Sequence, residues 1–145
     1  MAKVLYTAQA TVTGGRIAGH GRTSDGALEV DLAVPSEMGG PGAATNPEQL
    51  FAVGYASCFE SAIAVVARRE RAEVGDVTID SRVMLLPNDA RGFDLAVGLD
   101  VTLPSVDDAE AARRIIVAAH KVCPYSNATR GNIDVTLKVN GEPVG

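Results

Sequence analysis

Asn46-Pro47-Glu48-Gln49-Leu50-Phe51-Ala52-Val53-Gly54-Tyr55-Ala56-Ser57-Cys58-Phe59 opens the longest helix that this sequence predicts. Asn46 stands as the N-cap, with a side-chain oxygen able to accept from a free first-turn amide. Pro47 fills the first helical position, where no donor is needed. Glu48 suits the positive end of the helix dipole, and Gln49 can return a bond to the cap. The helix is expected to run to about Arg71. Its stretch Leu50 to Ala67 is apolar enough to raise the question of a membrane span. Ser57, Glu60 and Ser61 within it, and Arg68-Arg69-Glu70-Arg71 at its end, predict a soluble helix buried on most sides instead.

On either side of this helix the pattern changes to strands. Residues 3–12 are rich in β-branched and aromatic types, Gly14-Gly15 makes a turn, and residues 16–23 return as a hairpin. Ser24-Asp25-Gly26 is a second turn. Leu28, Val30, Leu32 and Val34 alternate as a third strand. Residues 35–46, with Pro35, Gly39, Gly40, Pro41 and Gly42, form a loop. Beyond the helix, residues 76–86 and 92–103 read as two strands joined through Pro87-Asn88-Asp89-Ala90-Arg91. Ser105 is expected to cap a second helix over about 106–121, with Asp107, Asp108 and Glu110 in its first turn. Pro124 opens a short extra turn with Cys123 at its cap. Ile133, Val135, Leu137 and Val139 alternate as a last strand, ended by Asn140-Gly141. The order βββ-α-ββ-α-β describes an α+β fold. At 145 residues, without repeat or linker, the chain is expected to be a single domain over 1–145.

Composition narrows the function. Hydrophobic residues make up 46% and charged residues 21%, and 13 basic against 18 acidic residues give −5. That balance argues against nucleic acid and against an anionic membrane surface as partners. The N-terminus enters a strand-like pattern with no signal-peptide apolar segment, so a cytoplasmic location is expected. There two cysteines are reduced thiols or a transient redox pair rather than a permanent staple. No Cys-x-x-Cys, HExxH or phosphate-loop pattern is present, and His20 and His120 lack ligand spacing, so neither a metal nor a nucleotide site is expected.

Four residues could carry chemistry. Cys58 read alone is either an inert buried thiol or a nucleophile held as thiolate by a cation or hydrogen-bond donors. Cys123, followed by Pro124, lies at a helix end, as a structural thiol or a second redox group. For the pair to act together, their Cα atoms must approach within about 7 Å. Arg16, after Gly14-Gly15, is either a solvated hairpin arginine or one arm of a bidentate pair with a carboxylate. Glu48 is either a dipole-matched surface acid or that carboxylate.

The Cys58 stretch resembles one cysteine motif of the organic hydroperoxide resistance proteins, the Ohr branch of the Ohr/OsmC family. Val122-Cys123-Pro124-Tyr125-Ser126-Asn127-Ala128-Thr129-Arg130-Gly131-Asn132 resembles the other. The likeness extends through Leu5-Tyr6-Thr7-Ala8, Thr11-Val12-Thr13-Gly14-Gly15-Arg16, Ser24-Asp25-Gly26, Gly39-Gly40-Pro41-Gly42 and Thr45 to Phe51, and so over nearly the whole chain. Ala43-Ala44 stand where many relatives are more glycine-rich. The resemblance implies an interlocked homodimer in which sheets wrap central helices. It implies Cys58 as the peroxidatic cysteine, Cys123 as the resolving one, Arg16 as the cation that activates Cys58, and Glu48 as the carboxylate that orients Arg16. It implies organic hydroperoxides as substrates, fatty-acid hydroperoxides among them, with no bound cofactor. A dihydrolipoyl group on a lipoylated protein would be the reductant. Phe51, Met38, Phe93 and Tyr125 are candidates for an apolar wall favouring alkyl peroxides. The alternatives are an OsmC-like peroxidase of broader range and a non-catalytic thiol redox sensor.

Overall fold

The computed structural model describes residues 2–145, and the chain divides into two compact units, Met1–Leu50 and Phe51–Gly145. In the first, β1 (Ala10–Thr13), β2 (Ala18–Thr23) and β3 (Glu29–Ala33) form an antiparallel sheet in that order. β1 is shorter than the strand expected over 3–12. Its ladder closes where Ser24 N–H donates to Gln9 O at 2.9 Å, and β2 has by then ended. Among the described residues no strand pairs with residues 2–8, and Val4, Leu5 and Tyr6 are exposed. The loop that follows β3 contains one short 3-10 turn, Ser36–Met38.

α1 (Pro47–Glu70) starts where the sequence places it. Asn46 Oδ1 accepts from Gln49 N–H at 2.9 Å. The returning bond of a capping box is not made, because the Gln49 side chain takes the Thr45 hydroxyl at 2.8 Å instead. Within the second unit Tyr55, Phe59, Ile63 and Val66 share one face of α1, spaced by four, four and three residues, and all are buried. α1 is long and apolar enough to cross a membrane by length and composition alone. It is not buried on most sides, as the sequence predicted. One flank, with Val53, Ser57, Glu60 and Ser61, is exposed in the single chain.

The core of the second unit joins that face to alternate residues of β5, Val97, Leu99 and Val101, and to Ala112, Ile115, Ile116 and Ala119 of α2. β4 (Thr78–Pro87) and β5 (Phe93–Thr102) form an antiparallel pair. α2 (Ala109–Val122) and α3 (Pro124–Thr129) then cross over to β6 (Asp134–Val139), which runs parallel to β5. A short β7 (Glu142–Val144), absent from the expected order, folds back after Asn140-Gly141 and completes the sheet β4-β5-β6-β7. The α+β class stands. The cap of α2 does not. Asp108, not Ser105, is its N-cap, accepting from Glu110 N–H at 3.2 Å. Residues 103–106 are held out of the helix by a turn, Val106 N–H to Leu103 O. The Asn140 side chain donates to the carbonyls of Leu103 and Val106.

Candidate active site

The first unit carries an arginine–carboxylate pair. Gly14 and Gly15 both have positive φ, 73° and 58°, and a Cβ on Gly14 would meet the Ala18 carbonyl oxygen at 2.2 Å. Only glycine fits that turn, and the turn projects Arg16. Arg16 Nη1 and Nη2 donate to the two carboxylate oxygens of Glu48 at 3.0 and 2.8 Å. This fork-on-carboxylate geometry fixes the guanidinium plane. The hydrogen bonds from Arg16 hold the Glu48 carboxyl below its ordinary value, and Glu48 in turn keeps Arg16 more firmly protonated. The alternatives left open by the sequence resolve here. Arg16 is not a solvated hairpin arginine, and Glu48 is its bidentate partner.

The second unit carries the thiols. Cys58 lies half-buried against the core, and Cys123 is fully buried as the N-cap of α3. Both are free, and Cys58 packs against the cluster that holds Cys123, close enough for each thiol to feel the other although 65 residues separate them in sequence. Burial pushes the Cys58 thiol above its ordinary value. The backbone N–H of Tyr125, donating to the sulfur, acts in the opposite direction, and the Cys123 thiol adds to the rise. A half-buried thiol pushed up in this way is a weak nucleophile until positive charge favours its ionised form.

Beside the thiols Tyr125 stacks on Phe51 with ring centroids 5.9 Å apart, and Tyr55 closes the aromatic group at 5.7 Å from Tyr125. Gly54 permits this packing. A Cβ there would approach the Tyr125 hydroxyl oxygen to 3.1 Å, so the space that the glycine leaves on α1 is filled by the Tyr125 ring. Of the expected apolar wall, Phe51 and Tyr125 are thus brought together. Phe93 is exposed at the start of β5, opposite Pro87, and Met38 is exposed in the first unit.

Sequence reasoning gave the histidines no role, and the structure places both in hydrogen-bonded groups. His20 Nδ1 and Nε2 meet Asp31 Oδ1 at 2.8 Å and Glu29 Oε2 at 2.9 Å across the β2–β3 ladder, and these carboxylates raise its pKa. His120 Nδ1 lies 2.8 Å from Ser126 Oγ. The alternation of residues 28–34 placed Asp31 and Glu29 on the opposite face from Val30 and Leu32, which was the available signal for the first group. Nothing local pointed to the second.

The chain as a whole is similar to known proteins. The profile of the family described as OsmC-like protein matches residues 40–138. The organic hydroperoxide resistance protein of Xanthomonas axonopodis pv. citri is 52% identical over 139 residues, covering 93% of this chain and 94% of the relative. An organic hydroperoxide resistance protein of Vibrio cholerae, crystallised with captopril in one of its active sites, superposes with a TM-score of 0.92. It is 46% identical and covers 98% of this chain and 96% of its own. One from Legionella pneumophila gives 0.89 at 51% identity, covering 94% and 98%. With a family match over most of its length and relatives about half identical across nearly the whole chain, this chain belongs to the OsmC-like family, among its organic hydroperoxide resistance proteins.

Proposed function

We propose that the chain is a cysteine-based peroxidase that reduces organic hydroperoxides to alcohols. The observation that carries this reading is the meeting of two free thiols, Cys58 and Cys123, with a backbone donor on Cys58. The Cys58 thiolate attacks the outer peroxide oxygen. The O–O bond breaks, the alkoxide leaves and takes a proton to become the alcohol, and Cys58 becomes a sulfenic acid. Cys123 then attacks the Cys58 sulfur, giving the Cys58–Cys123 disulfide and water. A dithiol reduces the disulfide by two exchange steps and is itself oxidised to a disulfide. Access argues for a slender reductant such as a dihydrolipoyl group on a lipoylated protein, because Cys123 is wholly buried and Cys58 is the reachable sulfur. No bound cofactor takes part. A cytoplasmic setting, where thiols are kept reduced between cycles, suits the scheme. Phe51 and Tyr125 give the site an apolar side that favours alkyl over hydrogen peroxide.

The test is turnover. Purified protein is given an alkyl hydroperoxide or hydrogen peroxide, with dihydrolipoamide or glutathione, and peroxide loss is followed. Steady consumption is expected with the alkyl peroxide and dihydrolipoamide. Equal rates on both peroxides would favour an OsmC-like enzyme of broader range. A single stoichiometric oxidation without recycling would mark a thiol sensor and sink the peroxidase reading.

In this reading the charge that Cys58 lacks comes from Arg16, held in plane by Glu48. Arg16→Ala is then expected to move the Cys58 titration to higher pH and to slow its oxidation roughly tenfold or more near neutral pH, since loss of a nearby cation disfavours the thiolate. Thiolate absorbance, measured for wild type and variant with Cys123→Ser in both, reads this directly. Superimposable curves would leave Arg16 without the role.

A further inference from the structure

Three helices of the second unit share a run of hydrogen bonds that the peroxide chemistry above does not use. It joins His120 in the last turn of α2, Ser126 and Thr129 on α3, and Tyr55 on α1. Ser126 and Tyr55 are wholly buried and Thr129 nearly so. His120 Nδ1 to Ser126 Oγ is 2.8 Å, Ser126 Oγ to Tyr55 Oη is 2.8 Å, and Tyr55 Oη to Thr129 Oγ1 is 3.3 Å. Thr129 Oγ1 donates to the carbonyl of Tyr125 at 2.9 Å and lies 3.3 Å from that of Ser126.

Counting protons gives this run a direction. A carbonyl only accepts, so the single Thr129 proton is used on Tyr125 or Ser126. Tyr55 must then donate to Thr129, and Ser126 must donate to Tyr55. Ser126 has no second proton, so His120 Nδ1 must carry one. The three contacts from His120 to Thr129 are all satisfied in one arrangement only, Nδ1–H of His120 to Ser126 to Tyr55 to Thr129, which ends on the Tyr125 carbonyl at the shorter of its two distances. That residue's own N–H is the group that works against burial to lower the Cys58 pKa. The groups around the imidazole are the Phe59 ring of α1, centroids 6.5 Å apart, the Ser126 hydroxyl of α3, and Arg130. Arg130 donates to the His120 carbonyl and, at 2.8 Å, to Asn127. Burial first, and the Arg130 charge second, lower the His120 pKa, so the neutral ring is favoured and its tautomer becomes the relevant variable.

We propose that His120 is a positioning residue, whose Nδ1–H heads an oriented chain of hydroxyls that fixes α3 and aims the Tyr125 amide at Cys58. The inference rests on Cys58 being the reactive thiol. Its test uses neither peroxide nor reductant, so it can fail or succeed apart from the peroxidase reading.

Two measurements decide it. The ¹⁵N and ¹³C NMR signals of the neutral His120 ring should report the Nδ1–H tautomer, the minor form of free histidine. A ring mainly in the Nε2–H form would overturn the proposal. The second is the pH profile of Cys58 alkylation by iodoacetamide, with Cys123→Ser throughout. His120→Leu keeps bulk against Phe59 and loses the donor, and its rate at pH 7 should fall roughly three- to tenfold, part of the worth of a hydrogen bond to a charged acceptor. His120→Asn loses bulk but keeps an N–H near the Nδ1 position, and should restore the wild-type profile. A packing role would rank the two variants the other way, and that ranking, or a His120→Leu profile superimposed on wild type, would also overturn the proposal. Should His120→Leu fail to fold, Tyr55→Phe cuts the same chain within an intact ring, and it must shift the profile in the same direction for the proposal to stand.

Discussion

Cys58→Ser is expected to lower peroxide consumption on the order of 10³-fold or more, to the background rate, because it removes the only group proposed to break the O–O bond. Cys123→Ser has a different outcome. It should react once, at close to the wild-type rate, and then stall. The sulfenic acid on Cys58 would have no neighbouring thiol to condense with, and more peroxide would carry it to the sulfinic state. Mass spectrometry after one equivalent of alkyl hydroperoxide separates the three proteins. Wild type loses two hydrogens as the disulfide forms, Cys123→Ser gains one oxygen, and Cys58→Ser is unchanged. The contrast follows from the environments of the two sulfurs. Cys58 is half-buried and receives the Tyr125 amide, whereas Cys123 is sealed in the core at the α2–α3 junction, where it meets Cys58 but not solvent. Normal turnover by Cys58→Ser would reverse the roles assigned to the pair.

Local signals carried the fold well where one segment decides its own structure. Asn46 and Pro47 placed the start of α1 to the residue, and Pro124 after Cys123 placed α3 and its cap. Alternation from Ile133 to Val139 found β6. The misses share a cause, which is a distant partner. Ser105 is as good a cap by type as Asp108, but the Asn140 side chain, more than thirty residues later, holds the preceding turn outside the helix. β7 is three residues long and exists as a strand only because β6 offers an edge. The candidate site divides in the same way. Arg16 and Glu48 each had a local reason to be where they are, a glycine turn and a helix start, and their pairing across 32 residues was an option that no local pattern could select. The buried run from Tyr55 to Ser126 spans 71 residues, and no single segment of the sequence holds its members.

Mixing two defective variants should restore activity, because Glu48 and Cys58 stand ten residues apart on one helix. The helix is unbroken from Pro47 to Glu70. Ten residues of it separate the two, roughly 15 Å along the axis, and ten steps of about 100° turn them to different faces. Arg16 is locked in a bidentate pair with Glu48. A second copy removes the difficulty. If two α1 helices meet antiparallel about a two-fold axis, Glu48 and Arg16 of one chain reach Cys58 of the other, and the operation is made twice. The exposed flank of α1 at Val53, and the exposed Met84, Leu86 and Phe93, offer apolar surface for such a homodimer to cover. Alone, a Cys58→Ser chain is expected at background, and an Arg16→Ala, Glu48→Ala chain at about a tenth of the wild-type rate or below. Random exchange makes half the dimers mixed, and each mixed dimer has one site with every group and one with none. Activity should therefore return to roughly a quarter of the wild-type value. Native mass spectrometry establishes that the subunits have exchanged. If they have, and peroxide loss stays at the level of the unmixed variants, the arginine and carboxylate do not act across the two-fold axis, and the cation for Cys58 must be sought within one chain.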